Sequence, residues 1–437
     1  MAPPLTVAVI GAGVAGLATA RALKVEGHRV IVYEKSNRLG GTWVYNPRVE
    51  SDPLSLDPNR EIVHSSLYQS LCTNLPRQLM GFSDYPFNTR KYGDLRTFPG
   101  HEEVLEFLNE FASEFGLVEL IRFETEVVRV DRADLRSDKW VVESRSGKST
   151  ELGSEEVFDA VVVCNGHHTQ PRVADFPGME KWPGKQLHSH NYRVPEPFQD
   201  QAIIVVVIGD GLSAKDISLE ISKVAKEVHL SSRSPNIKIS KLEYGDNMWQ
   251  HSEIDHVDEN GEVAFKDGAS IHADTILHCT GFKYDFPFLK TEGIVAVDDN
   301  RVGPLYKHIF PPELAPSLSF VGLTYFPAPH VFLKIDLQAK WIAHVLSGKA
   351  SLPSEEEMLA DVQEYYQTMA EKGIPKHHTH SLHYEFEFSD WLAAQVGLGV
   401  DEQARLMHRS YYKFVSDNGF WRSREWQPGY VLQEEEL

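Results

Sequence analysis

The feature that most restricts how this chain can fold is a motif that occurs twice. VAVIGAGVAGLATARAL, beginning at Val7, and VVVIGDGLSAKDI, beginning at Val205, each read as a short buried strand, a glycine-rich turn and the start of a helix. In the first copy, Gly11, Gly13 and Gly16 form a G-x-G-x-x-G pattern. The first glycine permits a tight turn, the second lets a pyrophosphate approach the backbone, and the third lets helix and strand pack closely. A helix predicted from Val14 to Glu26 and a strand from Val30 to Glu34 complete a βαβ unit. Two such units predict an α/β fold with two dinucleotide-binding, Rossmann-like domains.

The residues beyond each turn choose the nucleotide. Glu34 ends the strand after the first turn, where a carboxylate can accept hydrogen bonds from both ribose hydroxyls and would repel a 2′-phosphate. FAD or NAD therefore suits this turn better than NADP. The continuation Arg38-Leu39-Gly40-Gly41-Thr42-Trp43 resembles an extension found in flavoproteins with two dinucleotide domains. It favours FAD and adds Leu39, Thr42 and Trp43 to the candidate binding residues. In the second turn, Gly209, Gly211, Ser213 and Ala214 stand in the motif, with alanine in place of the third glycine. The following strand ends in Ser231-Ser232-Arg233 and offers no carboxylate. Ser232 and Arg233 can instead pair with a 2′-phosphate, so NADPH is expected there.

A chain of 437 residues suggests two domains, or one inserted in another. Strands are expected over Glu126 to Val130, Trp140 to Ser144 and Asp159 to Gly166. A proline-rich stretch from Gln170 to Gln201 reads as an ordered connection without regular elements. The second βαβ unit then occupies about Ile203 to Ser232, and a further strand is expected over Asp274 to Thr280. A second connection, Lys283 to Pro316, leads to the strand-like SLSFVGL and to a helix over Ile335 to Leu346. The expectation is an FAD-binding domain of residues 1–169 and 317–437, with an NADPH-binding domain, 170–316 including its linkers, inserted in it.

Composition excludes other classes. A formal net charge of −20 argues against nucleic acid as partner, since phosphate neutralisation needs a basic face. Cys72, Cys164 and Cys279 form no C-x-x-C pair and no zinc spacing, which suits incidental thiols in a reducing compartment. There is no run of eighteen apolar residues and no N-x-S/T sequon, and the C-terminal QEEEL is no hydrophobic anchor. A cytoplasmic protein without membrane anchor is expected. The histidines from His377 to His380, with His383, lack acidic or cysteine partners at ligand spacing and read as surface residues, and no metal is expected.

One further pattern chooses among chemistries. Trp182-x-Gly184-x-x-x-His188-x-x-x-Tyr192 resembles the FxGxxxHxxxY/F fingerprint that class B flavin monooxygenases carry between their nucleotide turns. CTGF, Cys279 to Phe282, is similar to the ATGY element of that family. Baeyer–Villiger members usually carry tryptophan followed by proline or aspartate where Tyr192-Arg193 stands. The resemblance therefore points to flavin-containing monooxygenases that oxygenate soft nitrogen and sulfur. GTWVYNP, SSLYQSLCTNLPRQLMGFSDYPF and LQAKWIAHVLSGKASLP are most similar to the plant branch, which includes S-oxygenases of thioethers. Cys72, where arginine is commoner, and the stretch YFPAPHVFLKID depart from that branch.

The resemblance implies that NADPH reduces FAD, that the reduced flavin takes up O2 as a C4a-hydroperoxide, and that a thioether or amine attacks its distal oxygen. It also implies a role for Thr73-Asn74: the matching asparagine lies beside flavin and NADP+, which makes Asn74 the candidate catalytic residue. His188 reads as a residue that fixes a turn or domain contact. N-oxygenation, Baeyer–Villiger oxygenation and plain NADPH oxidation remain alternatives on the same scaffold.

Overall fold

The computed structural model describes residues 3–427 apart from 135–136, 148–152, 235–238, 243–244, 326–330, 383–384 and 400. The chain opens with β1 (Thr6–Ile10), α1 (Val14–Val25) and β2 (Arg29–Tyr33). β1 is apolar after Thr6 because it is central, pairing in parallel on both sides. After α2 (His101–Glu114), β3 (Ile121–Arg122) extends the sheet beyond β2. An antiparallel trio follows, β4 (Thr125–Arg132), β5 (Trp140–Ser146) and β6 (Glu155–Phe158). Its Val130, Trp140 and Phe158 pack on Ile10 and Tyr33, covering one face of the first sheet. β7 (Ala160–Val163) then pairs with the free side of β1.

From there the chain crosses through β8 (Gln170–Pro171) into a second sheet. Its elements are β9 (Lys185–His188), β10 (Asp200–Ile208), α3 (Leu212–Ile221), β11 (Ala225–Ser231), β12 (Ser240–Lys241), β13 (Met248–His251) and β14 (Thr275–His278). The strand order is β9-β14-β10-β11-β13-β12, parallel except for the last pair. A three-stranded meander, Ile254–Val257, Glu262–Phe265 and Ser270–His272, covers one face. The other face receives α3.

The return runs through β15 (Phe282–Lys283), which pairs antiparallel with β8. β16 (Leu318–Phe320) then joins β7, so the first sheet has the order β16-β7-β1-β2-β3, all parallel. The second sheet is thus inserted between two strands of the first. Between β15 and β16, Tyr284, Phe288, Val302 and Leu314 pack on the first sheet's core. Helices α4 (Val331–Leu346), α5 (Glu355–Glu371), α6 (Glu385–Gln395) and α7 (Glu402–Asn418) complete the molecule. Ile335, Ile342 and Leu346 of α4 share a core with Leu17 and Leu23 of α1.

Two expectations change. The connection from Gln170 to Gln201 does contain a regular element, because Lys185–His188 pairs in parallel at the edge of the second sheet. Four residues are too few for periodicity to register. The histidine cluster is not all surface: a 3₁₀ turn at Lys376–His378 carries the chain inward, and His380 is buried, its Nε2 accepting the Val302 amide at 3.0 Å. His377 lies 3.3 Å from Asp299, and His383 is outside the described residues.

Candidate nucleotide and oxygenation site

The two glycine turns are built alike, atom for atom at their start. Gly11 donates its amide to the Tyr33 carbonyl and Gly209 donates to Ser231, both at 2.8 Å. Each has a left-handed backbone, φ 105° and 127°. A Cβ on Gly11 would stand 2.6 Å from the Cys164 carbonyl oxygen, and one on Gly209 would stand 2.5 Å from that of Cys279. Only glycine fits either place. The two cysteines close the equivalent strand ends of the two sheets, and burial pushes each thiol up to about 12. At neutral pH they are inert thiols.

The third motif position separates the copies. A Cβ on Gly16 would meet the Gly11 carbonyl oxygen at 1.8 Å, so α1 sits hard against its turn. In the second copy Ala214 takes this position and its methyl group is fully buried. Gly13 and Gly211 begin their helices with no side-chain cap and no acidic residue in the first turn. By contrast, α5 has a capping box at Ser354 and α7 is capped by Asp401. Uncapped N-termini leave amide donors and the positive end of the helix dipole for an anion. A Cβ on Gly211 would meet nothing within 4 Å, the open approach that a pyrophosphate needs.

Around the first turn, Glu34 is buried and its carboxylate spans the site: one oxygen accepts the Ala12 amide at 2.9 Å, the other the Ser36 amide at 2.8 Å. Each oxygen keeps a lone pair for a ribose hydroxyl. The turn Gly41–Trp43 lies over Gly13, since a Cβ on Gly41 would come within 2.9 Å of the Gly13 Cα. Thr42 is exposed, Trp43 packs edge to face on Phe332 at 6.4 Å, and Leu39 belongs to the core. Leu39 therefore supports the turn by packing. The uncapped start of α1 and the buried Glu34 carboxylate fit a dinucleotide.

Around the second turn, Arg233 is exposed and makes no ion pair among the described residues. Ser232 is buried, and its hydroxyl is already engaged, donating to Asp210 at 2.8 Å. Asp210 stands between the two glycines, and the pattern alone gave no sign of this bond. Ser213 occupies the first turn of α3.

Thr73 is buried, its amide bonded to the Pro99 carbonyl and its hydroxyl to Leu75, both at 2.8 Å. Asn74 beside it is exposed, and its carboxamide makes no hydrogen bond among the described residues. Its carbonyl accepts from the Tyr411 hydroxyl at 2.7 Å. The fingerprint between the turns has a structural explanation too. His188 Nδ1 accepts the His190 amide at 3.0 Å, Trp182 packs under the meander, and the Tyr192 hydroxyl donates to Glu220 of α3 at 2.7 Å. His190 and Asn191 clasp the strap from Glu50 to Ser66, where Glu50 and Arg60 form a buried ion pair at 2.6 Å.

Comparison with known proteins decides the family. The model of flavin-binding monooxygenase-like proteins matches residues 5–251 and 240–401. The chain belongs to that family. Arabidopsis thaliana flavin-containing monooxygenase FMO GS-OX5 is 51% identical to it over 98% of this chain and 93% of its own. FMO GS-OX-like 2 of the same plant is 54% identical over 98% and 93%. Among solved structures, S-allyl-L-cysteine S-oxygenase from Allium sativum superposes with a TM-score of 0.92 at 52% identity, covering 98% of this chain and 96% of its own. The flavin monooxygenase is thus an α/β protein of two Rossmann-type domains that works with FAD and NADPH. No described helix is long and apolar enough to cross a membrane.

Proposed function

We propose that this flavin monooxygenase transfers one atom of O2 to a soft nucleophile, a small-molecule thioether above all, giving a sulfoxide. The observation that carries the reading is the near-complete match to the garlic S-oxygenase, whose name specifies sulfur chemistry. Bound FAD, reduced by NADPH, supplies the activated oxygen. In this reading Gly11, Gly13, Gly16, Glu34, Leu39, Thr42, Trp43 and Thr73 hold or support FAD. Gly209, Gly211, Ser213, Ala214, Ser232 and Arg233 serve NADPH. The corresponding domains are 1–169 with 317–437, and 170–316 with linkers.

The protein's own tasks follow from these residues. The uncapped helix starts receive the two pyrophosphates, and Glu34 fixes the adenosine end by its ribose. Arg233 supplies a charge for the 2′-phosphate. Asn74 offers both a donor and an acceptor without an acidic proton, so it can bridge both cofactors at the oxygenating centre. A thioether is nucleophilic as it stands, so no base is required. The three unpaired thiols suit the cytoplasm as the working compartment. The test is NADPH consumption against a thioether panel with H2O2 quantified alongside. Sulfoxide formation close to NADPH consumption is expected; an ester from a ketone, or H2O2 alone with every thioether, overturns the reading.

A further inference from the structure

The helix that follows the second glycine turn is held by groups from three distant parts of the chain. Asp216 and Glu220 lie one turn apart on α3. The Asp216 Oδ2 accepts a hydrogen bond from the Tyr68 hydroxyl and a second, at 3.0 Å, from Arg424 Nη2. Glu220 takes the Tyr192 hydroxyl, and the rings of Tyr68 and Tyr192 meet edge to face at 5.6 Å. Tyr68 belongs to the segment that leads to Asn74, whereas Arg424 lies beyond α7, in the last described turn.

The same C-terminal segment also grips the Asn74 loop. Arg424 Nη2 reaches the Cys72 carbonyl at 3.3 Å, and Tyr411 reaches the Asn74 carbonyl at 2.7 Å. The carbonyls on either side of Thr73 are therefore fixed from one side by α7 and the turn after it. Trp426, fully buried against Leu79, Phe98 and Tyr411, seats that turn. Burial and then the Asp216 charge push the Tyr68 phenol well above its ordinary value, so it remains a donor. Charge-assisted bonds to a shared carboxylate are stronger than neutral ones.

The geometry points to a latch: Tyr68, Asp216 and Arg424 are positioning residues that hold the coenzyme-side helix in register with the Asn74 loop. The inference rests on the proposal that Asn74 serves the oxygenating centre. The chain passes between the two sheets through β8 and β15, and His190 and Asn191 clasp the Glu50–Ser66 strap beside that crossing. A displacement of α3 from the Asn74 loop would move Asp216 away from Tyr68 and Arg424 together. With the latch closed, Gly211 and Asn74 keep a fixed relation, and bound NADP+ stays where Asn74 can reach it. With the latch open, coenzyme is lost early and reducing equivalents leave as H2O2.

The test uses the FAD-loaded full chain with Tyr68→Phe, Asp216→Asn, the double variant, Arg424→Met and Arg424→Lys. Three quantities are read: the NADP+ dissociation constant, amide exchange of residues 212–221, and sulfoxide formed per NADPH. Tyr68→Phe and Asp216→Asn should each weaken NADP+ by about tenfold, speed exchange in α3 and raise the H2O2 share. The double variant should be no worse than Asp216→Asn, because Tyr68→Phe then removes a bond whose charged acceptor is already lost. Arg424→Lys should restore what Arg424→Met loses. Folded single variants with wild-type NADP+ affinity and exchange overturn the latch, as does full additivity in the double variant. Affinity and exchange need no thioether, so they judge the latch even if no thioether proves to be a substrate.

Discussion

The Ser232 hydroxyl donates to the Asp210 carboxylate at 2.8 Å, which ties the strand end that bears Arg233 to the middle of the second glycine turn. One serine hydrogen is thus spent inside the protein, and a negative charge stands beside the site assigned to a 2′-phosphate. Arg233→Ala should therefore cost NADPH binding about 1.5 to 3 kcal/mol and leave NADH little changed. Asp210→Asn should act in the opposite direction by removing the repulsion. Steady-state kinetics with both coenzymes check the pair; an unaltered NADPH to NADH preference in Arg233→Ala removes the arginine from the site.

Glu34→Ala should yield a largely colourless protein. It removes the acceptor of the Ala12 and Ser36 amides as well as the ribose contact, and each buried donor left unpaired costs about 1 to 3 kcal/mol. Released flavin per mole of protein, measured by visible absorbance, reports the outcome. Full flavin content in the variant refutes the assignment.

Gly16→Ala and Ala214→Gly form a contrasting pair. The added Cβ would lie 1.8 Å from the Gly11 carbonyl oxygen, so α1 must move and FAD occupancy should fall with it. Ala214→Gly, in a turn that already tolerates the methyl group, should cost only about 1 kcal/mol through helix propensity. Thermal melts and flavin content of the two variants would show the asymmetry, and equal losses would contradict it.

Asn74→Ala should leave stability unchanged, because the exposed carboxamide bonds to no described residue. NADPH oxidation should continue. Sulfoxide per NADPH should collapse, with H2O2 in its place, since a preorganised hydrogen bond at a reacting centre is worth about 2.7 to 4 kcal/mol. Wild-type coupling with an unchanged melt would show that Asn74 is only part of the loop surface.

Glu50 predicts an acid limb. Burial alone would raise its carboxyl, but hydrogen bonds from His190, Ser55, the Val63 amide and Arg60 outweigh burial and hold it down to about 2. A depressed carboxylate stabilises the fold above its unfolded value near 4.5, and that stability is lost as pH falls toward 2. Glu50→Gln should flatten the limb across this window. At neutral pH it should cost about 3 to 5 kcal/mol by leaving Arg60 buried without its carboxylate. Chemical denaturation as a function of pH measures both effects; an acid limb as steep as the wild type's would rule out Glu50 as its source.

The sequence carried the parts whose signal is local. Residues 7–10 of β1, 205–207 of β10 and all of β7 are buried apolar runs, and glycines at fixed spacing mark where each turn must be. Glu34 and Arg233 were chosen because each ends the second strand of its βαβ unit, the position a nucleotide fold gives to the ribose. The choice of Asn74 rests on family resemblance alone, since an exposed asparagine in a loop has no periodicity. Tyr68, Asp216, Tyr411 and Arg424 escaped altogether. Their bonds join positions 148, 208 and 337 residues apart, and no spacing rule encodes such meetings. Ser232 was expected to face a phosphate, and its bond to Asp210 depends on how the turn and the strand end meet in space. Helix α4 begins at Val331, four residues before the expected Ile335.

The pairing of β8 with β15 also bears on how such a protein can diversify. Strands in a ladder lie about 5 Å apart, so residues 172–281 begin and end at neighbouring points of this two-stranded ladder. A segment whose ends meet can be exchanged whole without re-routing the remaining chain. Recombination at this seam would give the flavin half a new coenzyme cassette in one event. The graft would inherit its own strands, glycine turn and meander. It would function in the new host only if it also carried a carboxylate where Asp216 stands, to meet the resident Tyr68 and Arg424.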